Sequence, residues 1–294
     1  MPKINPKIIV IVGPTASGKS DLAIKLARKF KGEIISADSR QVYRGMDVGT
    51  GKVTKKEQRL AHHHLIDVAN PKKIFTVSDF KKLGEKAIKE IISKNKMPII
   101  VGGTGQYIDT LVYNFSLPEV PPNYKLRAKL EKQSTEQLFE QLQKLDPERS
   151  GNIDSKNPRR LIRAIEIITA TGQPVGRIKQ ESPYDVLWLG LNPKGLEKRI
   201  STRLSARIKQ GMIAEVKKLR TGGISWQRLY DLGLEYRWVG QYLQNKITKD
   251  EMTIGLDQAI HQYSKRQMTW FKRNKNIHWV KNLTSATKLM KAFV

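Results

Sequence analysis

Apolar residues in this chain follow two rhythms. In the first hundred residues, short unbroken apolar runs alternate with stretches whose apolar positions recur every three or four residues. The run KIIVIVG at 7–13 is short and rich in β-branched residues, the composition of a strand buried on both faces. In the stretch KSDLAIKLARKF that follows, Leu22, Leu26 and Phe30 fall on one helical stripe. GEIISAD, 32–38, reads as a second strand ending at Asp38, and HLIDV, 64–68, as a third. The segment 75–96 is amphipathic, with Phe80, Leu83, Ala87 and Ile91 on one stripe. MPIIVGGTG, 97–105, is again a strand, running into a glycine turn. Strands alternating with helices predict a parallel sheet.

The rhythm changes at SLPEVPPN, 116–123, where prolines punctuate the chain. From about 124 to 180 only helical periodicity remains. The best marked helix begins at Asn157, suited to an N-cap, with Pro158 at the first helical position and Gly172 at the stop. DVLWLGL, 185–191, returns to strand composition, and IHWV, 277–280, predicts a last strand in a mostly helical C-terminal region. There are no internal repeats. The simplest organisation is an α/β core of 1–117 and 184–294 interrupted by a helical insertion at 118–183.

Composition narrows the partners. Lys and Arg number 54 against 27 Asp and Glu, a net charge of +27, which points first to nucleic acid; a generally basic surface is the plainer reading. Cys is absent, so disulfides and thiolate metal sites are excluded. No run approaches the length of a membrane span, and the apolar segment after MPKINPK is broken by Gly13 and Pro14, unlike a signal peptide. A cytoplasmic enzyme, with no membrane association, is expected.

Chemistry enters at GPTASGKS, residues 13–20: Gly13, Pro14, Thr15, Ala16, Ser17, Gly18, Lys19 and Ser20. Gly13, Gly18, Lys19 and Ser20 match G-x-x-x-x-G-K-[ST] between a strand and a helix, the context of a phosphate-binding loop. In such a loop backbone N–H groups turn onto phosphate oxygens, the helix adds its positive end, Lys19 supplies a point charge, and Ser20 suits Mg²⁺. The fold class expected is therefore a P-loop NTPase-like parallel sheet flanked by helices, with an inserted all-helical subdomain. Most P-loops hold nucleoside triphosphates and need an acidic Mg²⁺ ligand; PIIVGG ends in glycine, while EIISAD and HLID end in Asp. Asp38, at a strand end, admits two readings: general base or metal ligand, and helix cap or turn former. GGTGQY, 102–107, brings Thr104 to the same edge. The triplet His62-His63-His64 suggests a metal, but three consecutive side chains cannot share one face; capping and surface polarity are the alternatives. Arg159, Arg160 and Arg163 crowd the first turns of the 158–171 helix. In YSKRQMTWFKRNK, 263–275, Lys265 and Lys272, like Arg266 and Arg273, recur at i+7, while Trp270 and Phe271 suit either core or base stacking.

With these blocks in view, the chain resembles the bacterial tRNA dimethylallyltransferases. GPTASGKS, DSRQVYRGMDVGTGK (38–52), HHLID (63–67), GGTGQY, NPRRLIRAIE (157–166) and KRQMTWFKRN (265–274) stand in the family's order and spacing over nearly the whole chain. The resemblance implies that dimethylallyl diphosphate binds the P-loop and loses its diphosphate, and that the five-carbon group passes to N6 of the adenosine at position 37 of tRNA, beside the anticodon. It implies Asp38 as base, Thr104 as orienting the amine, Lys19 with Mg²⁺ on Ser20 at the diphosphate, and Arg203, with Arg199 as competitor, holding that diphosphate. Contacts to the anticodon stem-loop are implied for Asp38, Ser39, Arg40, Gln41, Thr104, Arg127 and the segment Arg159, Arg160, Leu161, Ile162, Arg163, in a protein acting as a monomer. The chain departs from the family pattern at LGLEY, 232–236, where a Gly-Tyr-Lys-Glu run is common, at Arg207, where Met is common, and at His62, where Pro is common. The alternatives are an adenylate isopentenyltransferase acting on free AMP, ADP or ATP, a P-loop kinase or RNA-dependent NTPase, and an RNA-binding module without catalysis.

Overall fold

The computed structural model describes residues 5–115, 118–175 and 181–294. The chain divides into two compact units, Met1–Asn114 with Ser182–Val294, and Phe115–Glu181. The predicted insertion was 118–183.

The larger unit is built on six strands: β1 Lys7–Val12, β2 Gly32–Ala37, β3 His63–His64, β4 Met97–Gly102, β5 Asp185–Gly190 and β6 His278–Trp279. All pairings are parallel, in the order β3-β2-β4-β1-β5-β6. The parallel α/β sheet expected from the alternating rhythm is therefore present. β1 is buried on both faces because helices cover both. Ile8, Val10 and Val12 pack with Phe80, Ile88 and Ile91 of the helix Val77–Ser93. Ile9 and Ile11 face Leu22 and Leu26 of the helix Lys19–Lys29. Of the predicted stripe, Phe80, Ala87 and Ile91 are buried, and Leu83 is partly buried.

Two strand predictions are corrected. The predicted segment 64–68 contributes only His64 to β3, because Leu65 and Asp67 take positive φ of 63° and 58°, which ends the extended backbone. The last strand covers 278–279, not 277–280.

Strand order decides where the site lies. β4 runs between β1 and β2, so the loops leaving β2, β4 and β1 are consecutive along the carboxyl edge. Ligands of open parallel sheets bind at that edge. Contact is tight: a Cβ on Gly102 would lie 2.1 Å from the Ala37 carbonyl oxygen. A third core joins Val42, Tyr43 and Met46, after β2, to the C-terminal helices through Leu204, Val216, Leu229, Tyr236 and Ile260.

The unit Phe115–Glu181 has its own core of Leu130, Leu138, Leu142, Leu161, Ile165 and Ile168. Its helix Pro158–Thr171 starts as the sequence predicts: Asn157 accepts from the Arg160 N–H, Pro158 follows, and Gly172 closes at φ 66°.

Candidate active site

The P-loop conformation follows from its residues. Gly18 takes φ 91°, and Gly13 has Leu191 O and Ser17 Oγ within 2.6 and 2.8 Å of where a Cβ would sit. Side chains at either position would strain the turn or fill it. The helix Lys19–Lys29 opens with no side-chain cap. Its first N–H groups, with the positive end of the dipole, are thus available to an anion. Ser17 Oγ is buried without a protein partner among the described residues. Such an orphan is costly unless a ligand meets it.

Cations crowd this loop. Lys19 Nζ donates to Pro14 O at 3.1 Å. Burial lowers its pKa to about 8, against the raising charge of Asp38 and together with the lowering charge of Arg203. Arg203 is itself depressed, by burial and then by Arg207 and Arg199. A site where burial and mutual repulsion oppose positive charge is short of a negative partner, which a polyanionic ligand supplies. The two candidate arginines do different things. Arg199 donates through Nε to Ala16 O at 3.0 Å and so braces the P-loop, where Ala16 sits at φ 62°. Arg203 lines the cavity.

That cavity, of about 600 Å³, is lined by Thr15 to Ser20, by Asp38 and Gln41, by residues 50–55, and by Arg203 and Arg207. Asp38, just past β2, thus faces the P-loop. Its Oδ1 accepts from the backbone N–H groups of Arg40 and Gln41 at 2.8 and 3.2 Å. The turn-forming reading of Asp38 is therefore correct for one oxygen, and the same carboxylate also lies on the cavity wall. Thr104, beyond β4, accepts from Ser39 N at 3.1 Å, and its own N–H reaches Ala37 O at 3.3 Å. It stands next to the Asp38 turn, outside the set of residues lining the cavity. Arg40 points away from it, donating through Nε to Leu232 O at 2.7 Å.

The wall formed by residues 47–54 stood in the sequence only as part of the block 38–52, with no role assigned. Glu215 accepts from Asp47, Val48 and Gly49 N–H groups at 2.7, 2.7 and 3.0 Å, and from Tyr236 OH at 3.0 Å. Lys52, buried, joins Asp47, Asp67 and the Tyr43 carbonyl at 2.6, 2.5 and 2.8 Å. Two of the family departures meet here: Arg207 Nη1 pairs with Glu235 at 2.8 Å and donates to Gly49 O at 2.5 Å.

The basic candidates separate. Arg159 and Arg160 are exposed. Arg127 and Arg163 instead hold Glu166, which is 1% exposed: Arg127 Nε and Nη2 donate to it at 2.8 and 2.7 Å, and Arg163 Nη1 also pairs with it. Leu161 and Ile162 turn their side chains into the core of the unit, at 0% and 6% exposure. Phe271 is core at 3%, while Trp270 is partly buried and its indole N–H donates to Asp109 at 2.8 Å. Lys265, Arg266, Lys272 and Arg273 are exposed. The histidines also resolve: alternation puts His62 and His64 on one face with Glu33, all ligand-type atoms within 4.8 Å, while His63 turns toward the cavity. Glu33 is already compensated by His64 at 2.8 Å and by Lys96 at 2.7 Å.

A phosphate cradle at the end of β1, facing an acidic turn at the end of β2, defines a P-loop α/β protein with an anion site beside a carboxylate. The IPP transferase family matches over residues 41–274, and the chain belongs to that family. It is 41% identical over 278 residues to the tRNA dimethylallyltransferase of Roseiflexus sp. (strain RS-1), covering 92% of this chain and 91% of that protein. It is 40% identical over 285 residues to the tRNA dimethylallyltransferase of Alkaliphilus oremlandii, covering 93% and 90%. Among solved structures it resembles the tRNA isopentenylpyrophosphate transferase of Bacillus halodurans, with TM-score 0.73, 35% identity, and 98% and 95% covered. It also resembles a eukaryotic dimethylallyltransferase captured acting on tRNA, with TM-score 0.80, 26% identity, and 94% and 73% covered. Among the described residues no helix is long and apolar enough to cross a membrane.

Proposed function

We propose that this chain transfers the dimethylallyl group of dimethylallyl diphosphate to N6 of adenosine 37 in tRNA and releases diphosphate. The observation that carries this is the joint placement of Lys19, Arg203 and Asp38 around one cavity. In the step, the N6 lone pair forms a bond to C1 of the prenyl group while the C1–O bond to diphosphate breaks. The N6 proton passes to Asp38, and the electron pair leaves with the diphosphate. An exocyclic amine conjugated with the purine ring is a weak nucleophile, so a carboxylate that takes its proton during attack lowers the barrier. P-loop N–H groups, Lys19 and Arg203 meet the charge that grows on the leaving oxygen. Thr104 orients the amine. Ser20 offers a hard oxygen donor that suits Mg²⁺, which would supply further charge neutralisation at the diphosphate.

The acceptor is polymeric. The base leaves its stack to reach the cavity at a cost of a few kcal/mol, offset by phosphate contacts from an excess of basic residues that includes exposed Arg159 and Arg160. The protein is taken to act as a monomer, and tRNA as substrate supports the cytoplasm. The test is nucleoside analysis after incubation of the protein with labelled dimethylallyl diphosphate, Mg²⁺ and either unmodified tRNA or AMP. Prenylated adenosine recovered from position 37 of tRNA is the expected result. Transfer to AMP in preference to tRNA, or ATP turnover with no prenyl transfer, overturns the reading.

A further inference from the structure

The helix Lys249–Phe271 presents Tyr263, Gln267 and Trp270 at i, i+4 and i+7, on one face. Each touches the loop after β4 or its neighbour. Gln267 is 6% exposed. Its Nε2 donates to Gly103 O at 2.9 Å, and its Oε1 accepts from Thr15 N at 2.9 Å. One side-chain amide therefore ties the P-loop to the turn that precedes Thr104. The approach is close: a Cβ on Gly103 would stand 2.2 Å from Gln267 Nε2 and would displace the amide. On the other side of Thr104, a Cβ on Gly105 would stand 2.3 Å from the Trp270 ring. Tyr263 is placed near Thr104, and burial with the charge of Asp38 pushes its pKa up to about 12.

We propose that Gln267 is a positioning residue that fixes the P-loop against the Thr104 turn, so that leaving group and acceptor amine keep one separation. The proposal rests on the transfer reading above. Its chemistry is specific to an amide. The site needs a donor at one atom, for Gly103 O, and an acceptor at the other, for Thr15 N. An ionised carboxylate keeps the second contact and sets oxygen against oxygen at the first. A protonated carboxyl restores both. A methionine fills the volume and offers only a weak acceptor. Displacements of about 1 Å between reacting groups cost on the order of 100-fold in rate.

The test compares Gln267→Glu and Gln267→Met with the wild type in single-turnover transfer to tRNA from pH 5.5 to 8.5. Amide hydrogen exchange across residues 13–18 is measured in parallel. At pH 8 both variants are expected to lose about 10- to 100-fold in transfer rate, with tRNA affinity unchanged. The Glu-to-wild-type rate ratio should climb as pH falls, while the Met-to-wild-type ratio stays flat, and exchange at Thr15 should speed up in the Met variant. A Met variant with wild-type rate and exchange overturns the proposal, as does a Glu variant that follows the Met variant at every pH. Failure of both variants to fold also overturns it, because the residue would then be a structural strut. If the wild type itself transfers nothing, the functional reading fails, and exchange at Thr15 still reports whether the amide holds the loop.

Discussion

Lys19 carries the electrostatic argument at the scale of single residues. Burial holds its pKa near 8, so the free protein loses this charge as pH rises through that value. A bound diphosphate favours the charged form. Diphosphate binding should therefore be at full strength below pH 8 and weaken above it, by up to about tenfold per pH unit, with proton uptake on binding near pH 8. Calorimetric titration at pH 7 and 9 in two buffers measures both effects, and Lys19→Ala should abolish the uptake. An uptake unchanged in that variant would remove Lys19 from the anion site. The phosphate loop was legible because its glycines, Lys19 and Ser20 act through local backbone geometry. Gln267 was not: its partners lie 252 and 164 residues away, and the basic residues around it drew attention to charge. The i, i+4, i+7 spacing of Tyr263, Gln267 and Trp270 was the available signal.

At the scale of elements, the helix Pro158–Thr171 separates local from tertiary information. Its cap, its first-turn proline and its glycine stop are local and were readable. The role of Arg163 was not, because it depends on Glu166 of the same helix meeting Arg127 from another. Burial alone would raise the Glu166 carboxyl, but hydrogen bonds from Arg127, Arg163 and the Asn123 N–H bring it down to about 2. Its folded pKa is thus below the unfolded value near 4.5. The stabilisation is present above about pH 4.5 and is lost as pH falls toward 2. Glu166→Gln should destabilise the unit Phe115–Glu181 by about 2 kcal/mol at pH 7, the typical scale for hydrogen bonds to a charged group. The gap to wild type should narrow below pH 4. Hydrogen exchange in helix 158–171 measures this, and equal protection at pH 7 would show that Glu166 is dispensable. The sheet's strand composition was equally legible, whereas its order was not. The placement of β4 between β1 and β2, which brings Thr104 beside the Asp38 turn, depends on pairings that no local window contains.

Across the whole molecule, the excess of positive charge was plain in composition, but only the fold says which basic residues are spent internally. Arg127, Arg163, Arg199 and Arg207 each hold a protein carbonyl or carboxylate, while Arg159 and Arg160 stay exposed. Binding of tRNA should fall steeply with salt, and Arg160→Ala should lessen the slope of log K against log[salt] by about 1. A slope equal to that of the wild type would take Arg160 out of the interface. The central claim is that one carboxylate deprotonates the amine while the P-loop holds the departing diphosphate. Rapid-quench single-turnover transfer with saturating tRNA and donor tests it most directly. Asp38→Ala should slow the chemical step by about two to four orders of magnitude while tRNA binding persists. Transfer by that variant at the wild-type rate would contradict the account.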